Sequence, residues 1–337
     1  MKNMHNPVLV EVIRNSVVES YHRGSAIVVN SQGDIVFSIG DFEQHIYPRS
    51  ALKPLQAIPL LESGAAQSFQ LSDQEIALSC ASHNSQDMHV NTVQQWLERL
   101  ELSTSNLECG AELPNYKPSA HQLIAAGKKP TKAHHNCSGK HAGMLTLARH
   151  LLPEVHGYSA HSHIVQKIWM NTLSELIDAD VNAMHWEQDG CGLPAIYMPL
   201  KKLALAYALF SEPELQPGAR GSAMSKIIDS ITKHPEMLAG SERCCSAVIR
   251  QTEGRAIVKT GAEAIYAGVI PSLKLGFALK IDDGATRASE VALGALLEKI
   301  KAISAAEKQH LADYFQPSIF NSLGHKTGEI RASSAWD

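Results

Sequence analysis

Two blocks of strand-like sequence lie at opposite ends of this chain, and a long helical stretch separates them. Residues 8–18 and 25–38 alternate and are rich in Val and Ile, with Ser31-Gln32-Gly33-Asp34 as a turn between them. Strand pattern returns only at residues 256–259, 264–270 and 275–281. Between the blocks, helical periodicity marks 87–100, 139–152, 161–178, 199–210 and 220–232. A sheet must pair its strands, so this order implies one antiparallel sheet assembled from both ends of the chain. The expected fold class is α+β: a lobe of residues 1–70 and 251–337 carrying the sheet, and a mostly helical lobe of residues 71–250. A site is expected at their junction, where pockets commonly form.

The sheet block ends at Gly40, and a loop leads to Tyr47-Pro48-Arg49-Ser50-Ala51-Leu52-Lys53. In Ser50-x-x-Lys53 the two side chains fall one helical turn apart and share a face. A serine hydroxyl is a poor nucleophile until a base takes its proton, and a desolvated, neutral lysine can be that base. The helix after Ser50 should be short or kinked, because Pro54 and Pro59 fall inside it and Gly64 closes it. Its apolar residues Leu52, Leu55, Ile58 and Leu61 recur every third position, as in a buried helix. After residue 281, Asp282-Asp283-Gly284 leads to an amphipathic helix over 286–303, and the last dozen residues read as a partly ordered polar tail.

Charge and cysteine content narrow the function. Acidic residues exceed basic ones by 34 − 30 = 4, and the basic residues are scattered, which leaves no electrostatic footprint for nucleic acid. The opening MKNMHNPVLVEV has no charged region followed by an apolar one, and no apolar run is long enough for a membrane span. The expectation is a cytoplasmic protein with its six cysteines reduced. Seven of the seventeen histidines fall between His134 and His163, a density consistent with metal binding or with ordinary helix surfaces.

Two further motifs join the first. Ser82-x-Asn84 follows a helix, and Lys259-Thr260-Gly261 ends a strand, completing the S-x-x-K, S-x-N, K-T-G order of β-lactamases and penicillin-binding proteins. The second serine relays a proton to the leaving group, the strand lysine supplies positive charge, and the backbone after K-T-G completes an oxyanion hole. A second K-T-G, Lys326-Thr327-Gly328, falls in the polar tail with no following strand and is set aside.

The blocks YPRSALKPLQ, CASHNSQ, HHNCSGKHAGML, DGCGLP and KTGAEAIYAG, in this order over nearly the whole chain, resemble the Rhizobium etli-type L-asparaginases. That resemblance implies a β-lactamase/penicillin-binding-protein-like fold, also shared with serine-dependent glutaminases, and hydrolysis of L-asparagine to L-aspartate and ammonia. It implies two Ser–Lys tandems, Ser50 with Lys53 and Ser82 with Lys259. It also implies a homodimer, and a zinc ion held by Cys137, Lys140 and Cys191. Spacing alone would not assign that metal, since lysine must lose its proton to ligate; two small buried cysteines and a surface lysine are the other reading.

Further substrate-binding candidates each carry two readings. Arg49 is placed to grip the α-carboxylate or to form a structural ion pair. Asp189 and Glu263 take the α-ammonium or cap their loops. His83 and His141 donate to the substrate or bond backbone carbonyls. Tyr47 packs under Arg49 or donates its hydroxyl. Asn84 belongs to the second motif, and the Ser50 and Ala262 N–H groups are candidates for the oxyanion. Cys244-Cys245 reads as helical core. The chain departs from the family pattern at Ala264, where glycine is expected, and at Asn84-Ser85-Gln86, where a Gly-Glu-like ending is expected. Both bear on substrate preference, leaving asparagine, glutamine or a β-lactam open. A zinc-hydroxide amidohydrolase and a non-catalytic amino-acid sensor are the rival classes.

Overall fold

The computed structural model describes residues 5–337; residues 1–4, part of the opening segment read above for a leader, lie outside them. The chain forms two compact units. The first comprises Met1–Ala51, Met198–Glu212 and Ala247–Asp337, and the second Leu52–Tyr197 and Pro213–Ser246. The sheet-bearing unit therefore stops at Ala51, inside the S-x-x-K motif, and the helix Leu200–Phe210 belongs to it.

In the first unit, eight strands build the main sheet: β1 Val8–Arg14, β2 Val17–Asn30, β3 Ile35–Ile39, β4 Ile257–Gly261, β5 Ile265–Ile270, β6 Leu275–Ile281, β7 Ser318–Phe320 and β8 Lys326–Ala332. Their order is β7-β8-β1-β2-β6-β5-β4, with β3 paired to β2, and every pair is antiparallel. The long β2 makes this possible by dividing its partners. Its first half pairs with β1, while Gly24 to Asn30 pair with β6. The whole of β5 is buried, which is why its sequence runs apolar without alternation. Helices Leu200–Phe210 and Thr286–Lys299 pack on the sheet.

The polar tail is corrected by the structure. Residues Lys326–Ala332 are a sheet strand, paired with β1 from Val10↔Ala332 to Arg14↔Gly328. The chain then turns so that Trp336 donates from Nε1 to the Leu9 carbonyl at 3.0 Å and stacks on Phe37. The second K-T-G thus opens a strand, with Lys326 held to Glu329 at 3.0 Å.

In the second unit, helices Asp73–Ser79, Asp87–Arg99, Ser138–Leu151, Ile164–Ile177 and Arg220–Lys233 surround a core that includes Trp96 and Trp169. Ser72 and Glu75 form a reciprocal capping box at the first of these. The segment after Ser50 splits as its prolines require, into Lys53–Gln56 and Ile58–Glu62, and Gly64 closes it at φ 83°. Among the described residues, no helix is long and apolar enough to cross a membrane.

Candidate active site

Ser50 lies in a single 3-10 turn, Arg49–Leu52, that runs into the helix beginning at Lys53. Arg49 enters this turn at φ 52°, a left-handed conformation uncommon for a side chain of its size. Within the first unit the turn is fixed from two sides. Tyr207 donates its hydroxyl to the Ala51 carbonyl at 2.6 Å, and the glycine of K-T-G lies directly against the turn. A Cβ on Gly261 would sit 2.4 Å from the Pro48 carbonyl oxygen and 3.3 Å from the Ala51 nitrogen. Only glycine permits that approach, and it brings the end of β4 beside the serine turn.

Lys259 is buried in β4, and its Nζ donates to the Thr260 carbonyl at 2.8 Å. Past it the backbone stays unusual: Glu263 and Ala264 both have positive φ, 59° and 58°. The glycine expected at position 264 thus corresponds to a left-handed position that alanine fills here. Ser85, in the other departure, also sits at φ 63°. The Glu263 carboxylate lies against Gly284, while its backbone carbonyl accepts from Lys280.

The second unit gathers Lys53, Ser82, Cys137, Lys140 and Cys191. Lys53 is wholly buried, and its Nζ donates to the Ala81 carbonyl at 2.5 Å, to Ser82 Oγ at 2.9 Å and to Cys137 Sγ at 3.1 Å. Burial pushes its pKa below the usual lysine value; the Cys137 sulfur opposes that shift and Lys140 adds to it. Lys140 lies 3.0 Å from Cys191 Sγ. Burial disfavours its charge, yet the Cys191 and Cys137 sulfurs outweigh burial and hold its pKa up. The two cysteines divide one negative charge. A hydrogen bond from Cys137, reinforced by Lys140, depresses the Cys191 thiol, while that same bond, together with burial, raises Cys137. The Cys137 backbone N–H also donates to His135 Nδ1 at 3.0 Å, which fixes the start of the Ser138 helix.

Among the described residues no group of three or more His, Cys, Asp or Glu is arranged to hold a metal. The Cys137, Lys140, Cys191 set counts only two such residues. Its donors nonetheless fit a soft divalent metal such as zinc, with two sulfurs and one amine drawn together and the Cys191 thiol held toward its ionised form by Cys137 and Lys140. Ligation would require Lys140 to give up its proton.

The remaining candidates are placed as follows. Tyr47, Arg49, Ala262 and Glu263 are in the first unit with Ser50 and Lys259. Asp189 is in the second, and its Oδ1 accepts from the Gly190 N–H at 2.7 Å, a loop-capping bond. His83 and His141 have no solvent exposure. His83 is bonded at both ring nitrogens within the protein, and His141 Nδ1 meets the Tyr158 hydroxyl at 2.7 Å. Burial lowers the His141 pKa to about 4, though the Cys191 sulfur opposes it. Asn84 donates from Nδ2 to the Ser241 carbonyl at 3.1 Å, and its amide lies over Gly240, where a Cβ would come within 2.1 Å of Oδ1.

Sequence reasoning missed His89, Ser138 and Tyr158, the partners that hold these side chains. Nothing local in the sequence marks them, because each acts across a fold contact.

A comparison with curated proteins finds no match for the chain. The family model for L-asparaginase II matches residues 10–332, which takes in all five sequence blocks and both Ser–Lys pairs. The chain therefore belongs to the L-asparaginase II family of amidohydrolases.

Proposed function

We propose that the protein hydrolyses the side-chain amide of L-asparagine through a serine acyl-enzyme. The observation that carries this reading is the dry environment of Lys53, one turn after Ser50 and 2.9 Å from Ser82 Oγ. A lysine with its pKa lowered by burial has a neutral fraction able to accept a proton near neutral pH. In the proposed reaction Lys53 takes the Ser50 proton, and Ser50 attacks the amide carbon. The backbone N–H groups of Ser50 and Ala262 receive the oxyanion. Ser82 passes a proton to the departing ammonia, Lys259 supplies positive charge, and water then cleaves the aspartyl ester. Zinc, if bound, would be held by Cys137, Lys140 and Cys191 and would supply positive charge that tunes the neighbouring amines.

The Lys53–Ser82 bond supports a second assignment, in which Ser82 is the nucleophile and Lys53 its base. Mass spectrometry of the protein quenched during turnover separates the two, since the aspartyl adduct sits on the peptide of one serine or the other. Ammonia release from asparagine and glutamine, measured on the wild type and on Ser50→Ala, tests the reaction itself. Absence of amidase activity in the wild type, or near-normal turnover in Ser50→Ala, sinks the first assignment.

A further inference from the structure

Next to Ser82 the chain buries two imidazoles that have no direct part in the scheme above. His83 and His89 stack with ring centroids 4.8 Å apart and planes 11° from parallel, and neither is exposed. Their hydrogen bonds fix where the protons are. The Ser85 backbone N–H donates to His83 Nδ1 at 3.2 Å, so that nitrogen carries a lone pair. The ring proton is therefore on Nε2, 2.9 Å from Ser138 Oγ, and the Ser138 hydroxyl donates onward to the Ala133 carbonyl at 2.8 Å. His89 repeats the arrangement. Its Nδ1 accepts from the Gln86 N–H at 3.1 Å, and its Nε2 donates to the Glu236 carbonyl at 2.9 Å. Both rings are thus neutral Nε2–H tautomers.

The same few residues tie the Ser82 loop to two walls. Ser82 N–H donates to the Leu238 carbonyl at 3.0 Å and His83 N–H to the Asn136 carbonyl at 3.1 Å. Asn84 and Gln86 both bond Ser241, on the same side as Leu238 and Glu236. The groups facing His83 are His89, Lys53, His134 and His135, and Arg243 faces His89. Each is neutral or positive; two carboxylates stand behind them, Asp87 acting on His134 and Glu112 lying 3.3 Å from His135. Protonating either ring would turn Nδ1 from acceptor to donor, pointing N–H at N–H, and would set a cation among these groups.

We propose that the stacked, neutral His83–His89 pair is a positioning device that holds Ser82 at Lys53. This rests on the reading of Ser82 as the proton-relaying or nucleophilic serine. The pair touches no substrate. It sets the path of the loop that places the Ser82 hydroxyl, and it works only while both rings stay neutral.

Nitrogen NMR of the wild-type protein labelled at histidine tests the pair without reference to activity. Both rings should show the neutral Nε2–H tautomer throughout pH 5 to 8; a ring that titrates in that range, or carries its proton on Nδ1, overturns the proposal. Kinetics test the function. His89→Ala should lower kcat for asparagine about tenfold or more while KM stays within about twofold. His89→Phe, which keeps a flat ring under His83 but gives up the bonds to Gln86 and Glu236, should recover part of the kcat lost in His89→Ala. Wild-type kcat in His89→Ala, or no recovery in His89→Phe, overturns it. Wild-type turnover in Ser82→Ala would instead remove the reading of Ser82, and the spectra would still decide the state of the stack.

Discussion

At the scale of single residues, the chemistry depends on where protons rest. Lys53 is buried with three acceptors around its Nζ, and burial lowers its pKa. As the base it must be neutral, so kcat/KM should climb about tenfold per pH unit on the acid side of its folded-state pKa and then level off. Because the pKa is lowered, that plateau should begin below the ordinary lysine range. A pH–rate profile checks this, and a plateau that begins only in the ordinary lysine range would count against Lys53 as a base of lowered pKa. Ala264 concerns backbone strain instead. It occupies φ 58° in a buried position, where a Cβ costs about 1–2 kcal/mol, whereas glycine would give back about 0.5–1 kcal/mol in unfolded-state entropy. Ala264→Gly should therefore gain about 0.5 kcal/mol, read as a higher midpoint in urea unfolding.

At the scale of elements, the central strands and the helices were legible because burial writes a period into sequence. β5 and β6 are covered along nearly their whole length, and their apolar runs announce it. The strand Lys326–Ala332 was not legible, since only Gly328 and Ile330 are buried and the rest reads as polar tail. Its hold on the sheet comes from pairing with β1 and from Trp336 beyond it. Trp336 is mostly buried, bonds Leu9 and stacks on Phe37, so Trp336→Ala should cost about 3–5 kcal/mol. Thermal unfolding followed by far-UV circular dichroism would register it as a lower midpoint. The three motifs were legible as residue types in order, and Gly261 explains physically why K-T-G needs its glycine. The stack under the Ser82 loop was not, because His83 and His89 become partners only through the turn that Ser85 makes at positive φ. Cys137, Lys140 and Cys191 leave no spacing signature at all, because folding alone draws them together.

At the scale of the whole molecule, buried neutral histidines set the response to acid. Burial lowers the His89 pKa to about 4 and holds the His83 pKa well below the usual imidazole range, while in the unfolded chain both return toward about 6.5. Below pH 6.5 the unfolded state binds the extra protons, so stability falls by up to about 1.4 kcal/mol per pH unit for each ring. For His89 the loss accumulates between pH 6.5 and about 4, to a total of about 3 kcal/mol, and is absent above that window. Urea unfolding at pH 7, 6 and 5 measures the slope, and equal stabilities at the three pH values would contradict it. The sheet has a different consequence, for the order in which the protein is made. β1 pairs along one edge with a strand that reaches Ala332, so during synthesis that edge waits for a segment much later in the chain before it is covered. During synthesis the Val- and Ile-rich hairpin at the front stands with open edges, which is when chaperones would be needed most.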